Sequence, residues 1–310
     1  MKKLIALLLS LAMLGMLTGC NSTDYKKAVS AYENGDYQAA VEIFTQLGDY
    51  KDSAEMALQC NYHIAVLDFE DQNYEEAIEE LEALGDYEDC PELLARCRFD
   101  YGEQLYENGN YSAARKQFLK AGASGEVSEY LRMCAWGIVR DYLDQEGPME
   151  EHDTQYDTES NIQVESVCEI SRQGKSVDVT IQSTEVQSWP ILSASLTSVT
   201  TTTVSFDGKQ PQPEVKSNAE YTLTGPAGAS SFQNVGTCTW DLASYTADTE
   251  VVWDEYIHIG TDGEMGSGGN APAFNQRVSK QQAFLASCLE KLLENGSLNL
   301  TMADLGFTSY

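Results

Sequence analysis

The stretch Glu33-Asn34-Gly35-Asp36-Tyr37-Gln38-Ala39-Ala40-Val41-Glu42-Ile43-Phe44 decides the fold of the first half of the chain, because it returns. Asn73-Tyr74 and Gly109-Asn110-Tyr111 echo its turn, so Tyr37, Tyr74 and Tyr111 fall 37 residues apart. The same phase joins Tyr25, Tyr62, Phe99 and Trp136, then Ala40, Ala77 and Ala114, then Phe44, Leu81 and Phe118. It also joins Cys60, Cys97 and Cys134. A fixed period of this size marks stacked supersecondary units.

Each unit reads as two helices. In the first, Tyr62 and Phe69 lie seven residues apart and share a face. In the second, Ala40-Val41, Phe44 and Leu47 form one apolar stripe. Gly48 and Gly85 follow as C-terminal stops. Asp52-Ser53-Ala54-Glu55 and Asp89-Cys90-Pro91-Glu92 read as capping boxes that open the next units.

From about Tyr25 to Gln145 the pattern resembles the tetratricopeptide repeat, as three units and a last helix around Trp136 to Leu143. The resemblance implies a stack of antiparallel helix pairs whose first helices line a groove for peptide segments of partner proteins. The small residue the family carries in its first helix falls, in this alignment, at Val29, Val66 or Glu103. The family's proline after the second helix is replaced by Leu47-Gly48-Asp49-Tyr50 and Leu84-Gly85-Asp86-Tyr87. Aligned on the aromatics, the groove row is Lys26, Ser30 and Glu33; His63, Leu67 and Glu70; Asp100, Gln104 and Glu107; and Asp141. The row is acidic, so the expected occupant is a neutral or basic segment of an envelope protein or peptide. A stack that only spaces the following domain from a membrane has the same signature.

At the start of the chain, Lys2-Lys3 precede an apolar run from Leu4 to Leu17 that ends in Leu17-Thr18-Gly19-Cys20. This resembles a bacterial lipoprotein signal peptide. The resemblance implies cleavage before Cys20, a diacylglyceryl thioether on its sulfur, and a place on the extracytoplasmic face of the cell membrane. No later apolar run is long enough to span a bilayer.

The formal net charge is −30, with 27 acidic against 10 basic residues in 21–149 and 22 against 7 in 150–310. Acidity this evenly spread argues against nucleic acid, which requires a basic face.

Cys60, Cys97 and Cys134 sit at equivalent helix positions, and helices packed ~8–10 Å apart keep them beyond disulfide reach. They read as small buried thiols. Cys168 and Cys238 lie in candidate strands, and their pairing stays open.

Composition shifts at Glu146-Gly147-Pro148, and the polar stretch after it reads as an acidic linker. The expected organisation is a signal peptide at 1–19, helical repeats at 20–147, a linker at 148–160 and a second domain at 161–310. In that domain the period falls to two. Ile162, Val164, Cys168 and Ile170, a Gln173-Gly174-Lys175 turn, then Val177, Val179 and Ile181 read as a hairpin. Further strands follow, then a helix from about 276 to 294 striped by Val278, Leu285, Leu289 and Leu292. The fold class is α + β: a solenoid of three helix pairs with a capping helix, then a mostly antiparallel sheet covered by one long helix.

No nucleophile elbow, H-E-x-x-H or phosphate loop occurs, and no cofactor or metal site is signalled. Gly266-Ser267-Gly268-Gly269-Asn270-Ala271 fits G-x-G-x-x-A without a βαβ context. The reading is a non-enzymatic binding or scaffolding lipoprotein. Two alternatives stand beside it: solute, glycan or lipid binding by the β-rich domain, with Trp189, Trp240, Trp253 and Tyr256 as stacking candidates, and, more weakly, an envelope hydrolase.

Overall fold

The computed structural model describes residues 21–209, 214–226, 228–239, 251–255, 257–259, 265–267, 272–296 and 298–307. The signal-peptide and lipidation assignments at 1–20 lie outside these residues, as do the side chains of Cys238, Trp240, Trp253, Tyr256 and His258. The chain divides into two units, one ending at Ala123 and one beginning at Ser124.

The first unit is three helix pairs: α1 (Asn21–Glu33) with α2 (Tyr37–Leu47), α3 (Ser53–Glu70) with α4 (Tyr74–Leu84), and α5 (Cys90–Glu107) with α6 (Tyr111–Ala121). The short helices carry the stripe expected of them. Ala40 and Phe44, Ala77 and Leu81, and Ala114 and Phe118 are fully buried. The Asp36 carboxylate caps α2 by accepting from the Ala39 N–H at 3.2 Å. Gly48 and Gly85 end α2 and α4 at φ +54° and +63°, where a side chain would be strained.

Two details differ from the sequence reading. The small position of the first helices is Ala28, Ala65 and Gly102, one residue before Val29, Val66 and Glu103. Close approach of the paired helix dictates it: a Cβ on Gly102 would lie 2.8 Å from the Phe118 ring. Nor do the capping boxes form, because Asp52 and Asp89 make no side-chain cap bond. Their carboxylates turn instead to tyrosines of the preceding first helix, accepting from Tyr25 and Tyr62 at 2.6 Å each.

The second unit begins with α7 (Gly125–Glu146), opened by Ser124, whose hydroxyl accepts from the Val127 N–H at 3.1 Å. This is the helix assigned in sequence to the end of the repeats. Its apolar face belongs to another core. Trp136 stacks on Phe206 at 4.5 Å and 4°, and its indole N–H donates to the Leu305 carbonyl at 3.0 Å. Val139 and Leu143 join the same core.

The segment read as a linker is also structured. It forms β1 (Met149–Asp157), paired antiparallel with β2 (Ile162–Gln173). β3 (Ser176–Trp189), β4 (Ala194–Phe206), β5 (Glu214–Gly225), β6 (Gly228–Thr239) and β7 (Val251–Glu255) complete a seven-stranded antiparallel meander in sequence order. β8 (Ile257–Ile259) and β9 (Met265–Ser267) make a separate antiparallel pair.

The expected β2–β3 hairpin turns at Gln173–Ser176, with Gly174 at φ +58°. Cys168, Ile170, Val177, Val179, Ile181, Val204, Phe206 and Val215 bury one face of the sheet against α7 and α8 (Pro272–Asn295). Alternation decides which residues do so, since side chains two apart share a face.

Candidate functional site

Of the groove row, Lys26, Ser30, Glu33, Leu67, Glu70 and Glu107 are exposed, while His63, Asp100 and Gln104 are half-buried. Asp141 lies on α7, in the second unit. His63 fills the junction with the preceding pair, its ring stacked on Tyr37 at 4.5 Å and its Nε2 3.0 Å from the Tyr32 hydroxyl. Burial pushes the Asp100 carboxyl up, partly opposed by Arg96 at 3.9 Å. His63 therefore serves the seam between pairs, while Asp100 pairs along its own helix. The free row is carried by α1 and by the last turns of α3 and α5.

Glu33, Glu70 and Glu107 are each the last residue of a first helix, and none of these helices has a basic residue in its last turn. The aligned peptide dipoles give that end a partial negative charge, although N–H groups of the following turn already take the carbonyls of 30–32, 67–69 and 104–106. A carboxylate there is repelled by about 0.3–1 kcal/mol, and a cation would be attracted by as much. No ion pair involving these three glutamates occurs among the described residues.

The opposite situation holds at the seams, where carboxylates are used up by phenols. Besides Tyr25–Asp52 and Tyr62–Asp89, Tyr87 donates to Glu55 at 3.2 Å and Tyr101 donates to Glu75. The bond to Asp89, then burial, pushes the Tyr62 hydroxyl up to about 12; burial and the bonds to Glu55 and Glu75 do the same for Tyr87 and Tyr101. On α4, burial and the neighbouring Asp68 and Glu76 carboxylates push Glu80 up to about 7.

The second unit holds a polar cluster that the sequence reading did not find. In one row across the sheet, Glu185 of β3, Ser198 of β4 and Tyr221 of β5 are direct cross-strand neighbours. Arg277 of α8 reaches both ends of that row, donating to Glu185 at 2.9 and 3.2 Å and to the Tyr221 hydroxyl at 3.3 Å. One helical turn on, the buried Gln281 amide donates to the Thr200 carbonyl at 2.9 Å and the Ser183 hydroxyl at 3.1 Å, and its oxygen accepts from Thr202. The hydroxyls of Ser198 and Thr200 are enclosed without a protein partner. The signal was present in sequence: Gln281 interrupts the apolar stripe at its Val278 and Leu285 neighbours, and Ser198, Thr200 and Thr202 alternate on one face.

The Cys168 thiol lies beside Cys288 of α8, and the pair together with burial holds it far above the ordinary thiol range. Cys60, Cys97 and Cys134 are buried thiols, as expected. Among the described residues, no three His, Cys, Asp or Glu side chains converge to hold a metal, and no helix is long and apolar enough to cross a membrane. No family model, curated protein or solved structure matches the chain.

Proposed function

We propose that the chain is an extracytoplasmic lipoprotein, anchored to the cell membrane through acylated Cys20, and that its tetratricopeptide-like repeats hold a neutral or basic segment of an envelope protein. The protein acts as a scaffold and performs no catalysis. The observation that carries this reading is the exposed row Glu33, Glu70 and Glu107, one at the C-terminal end of each first helix and each without a cationic neighbour. A lysine or arginine of a bound segment would meet the carboxylate and the helix end together. Exposed pairs of this kind contribute ~0.2–1 kcal/mol each and are screened by salt. Their main effect falls on association rate and partner choice.

The test titrates residues 21–310 with extended lysine-containing and glutamate-containing peptides of equal length, at low and high salt. Selective, salt-sensitive binding of the basic peptide, weakened in a Glu33→Gln/Glu70→Gln/Glu107→Gln variant of unchanged helicity, is the expected result. Equal binding by the triple variant would reduce the repeats to a spacer. The anchor is checked separately, by the intact mass of membrane-extracted protein and by release of a Cys20→Ala variant.

The Arg277–Glu185–Tyr221 cluster, with the unpartnered hydroxyls of Ser198 and Thr200, supports a second reading in which the β-rich unit binds a small polar solute or glycan. Thermal stabilisation of the wild type, but not of Ser198→Ala, by such a compound would favour it.

A further inference from the structure

The hairpin between β3 and β4 ends in Trp189, Pro190, Ile191 and Leu192, with Pro190–Leu192 wound into a 3₁₀ turn. Ile191 is 99% exposed, far beyond any other aliphatic side chain of the described residues, and its neighbour Leu192 is 64% exposed, next above Leu119 at 56%. Tyr156, the third large exposed apolar side chain among the described residues of this unit, belongs to the same end of the sheet. Its hydroxyl donates to Asn161, which in turn donates to the Ser188 carbonyl at the base of the tip. The turn is held in shape: the Ser193 N–H donates to the Pro190 carbonyl, and Ser193 itself takes the left-handed conformation at φ +50°.

The surrounding sequence is as unusual as the exposure. In a chain of formal charge −30, the run from Val186 to Phe206 contains no charged residue. Among the described residues, Asp157 and Glu159 lie at this end of the sheet, at the close of β1 and in the turn after it.

We propose that this tip is a membrane-contact element, whose Ile191 and Leu192 side chains enter the interfacial region of a lipid bilayer while the Trp189 and Tyr156 rings rest at headgroup level. Stable protein–protein interfaces bury about 1,200–2,000 Å² in total and need shape complementarity. Two aliphatic side chains on a convex turn offer neither, so a second copy of the chain or a folded partner fits poorly. A fluid apolar phase needs no complementary shape, and amphipathic aromatic rings favour its boundary. The missing charges matter for the same reason, since each would have to be desolvated. Asp157 and Glu159 remain in water and limit the depth of entry. Contact is therefore driven by apolar burial and gains nothing from anionic headgroups.

The inference rests on the proposed lipid anchor in one respect: a tether supplies the high local concentration of bilayer that a small contact requires. The experiment replaces the natural anchor. Residues 21–310 with an N-terminal hexahistidine tag are held on phosphatidylcholine vesicles by a nickel-chelating lipid, and amide hydrogen exchange is followed in peptides spanning 187–195. Exchange is expected to slow several-fold on vesicles relative to the free chain, equally with and without added phosphatidylglycerol. In Ile191→Asp/Leu192→Asp, whose substituted side chains are exposed and leave the sheet intact, the slowing should vanish while exchange in β2 and β3 stays unchanged. Equal exchange on and off vesicles overturns the proposal. So does protection that appears in the vesicle-free chain as its concentration rises, which would make a second copy the occupant. Because the tether is synthetic, neither result depends on whether Cys20 is acylated.

Discussion

The two units hold themselves together over different distances. In the repeats, the tertiary bonds join neighbours: Tyr25 to Asp52 and Tyr62 to Asp89 are each 27 residues apart, and Arg98 to Glu82 is 16. In the second unit, Thr202 meets Gln281 79 residues away, Arg277 meets Glu185 92 away, and Trp136 meets Leu305 169 away. Repeats are nearly a sum of similar local interfaces, so damage should stay where it is made. A core closed by contacts between its first helix and residues 169 positions further on should fail as one.

The largest test of this difference is Trp136→Ala, which removes a stacked ring, a buried hydrogen bond and a filled volume. A loss of about 3–5 kcal/mol is expected. Hydrogen exchange should accelerate together in α7, β2–β4 and α8. Phe44→Ala is the matching cut in the repeats, of comparable size at its own site. Here exchange should accelerate in α1, α2 and the start of α3 while α5 and α6 keep their protection. Uniform loss across all six helices would show that the first unit is a single cooperative core.

The next effect is electrostatic. Glu80 has a folded pKa near 7, above its ordinary value. The stabilising contribution of its protonated form is complete below about pH 4.5 and fades as pH rises through 7. Glu80→Gln should therefore match the wild type at pH 5 and exceed it by up to ~1 kcal/mol at pH 8, after allowance for solvent screening. Denaturation midpoints at the two pH values decide it.

Tyr62→Phe should be smaller still, under ~1 kcal/mol at neutral pH, because the bond to Asp89 is largely exposed. Its signature lies at alkaline pH. A phenol raised to about 12 contributes stability below pH 10 that disappears as pH approaches 12. Absorbance titration at the phenolate band should lose one late-ionising tyrosine in the variant.

The helix pairs were readable because period, stripe and glycine stops all agree residue by residue. The end of the repeats was not readable. Trp136 continues the phase of Tyr25, Tyr62 and Phe99, yet a helical period records which face is apolar and not what covers it. β1 was missed because Glu150, Glu151, His152 and Asp153 are poor strand formers, and pairing with β2 overrides that preference. The shared phase of Glu33, Glu70 and Glu107 at the ends of the first helices followed from the period alone. The seam role of His63 did not, because Tyr32 and Tyr37 come from the neighbouring pair. Nor did the Arg277–Glu185 contact, since 92 intervening residues leave no spacing to read.

The meander order of the sheet has a kinetic consequence. Each strand from β2 to β7 pairs with the one just before it, so the hairpins from β1 to β6 can form without a long loop having to close first. The slow, entropically costly event is the return of 298–307 to α7, where the Leu305 carbonyl receives the Trp136 indole N–H. Until residues 298–307 have emerged, the apolar faces of α7 and the sheet stay incompletely covered. A chain shortened by those residues should accumulate as an open, sheet-containing intermediate, however quickly its hairpins form.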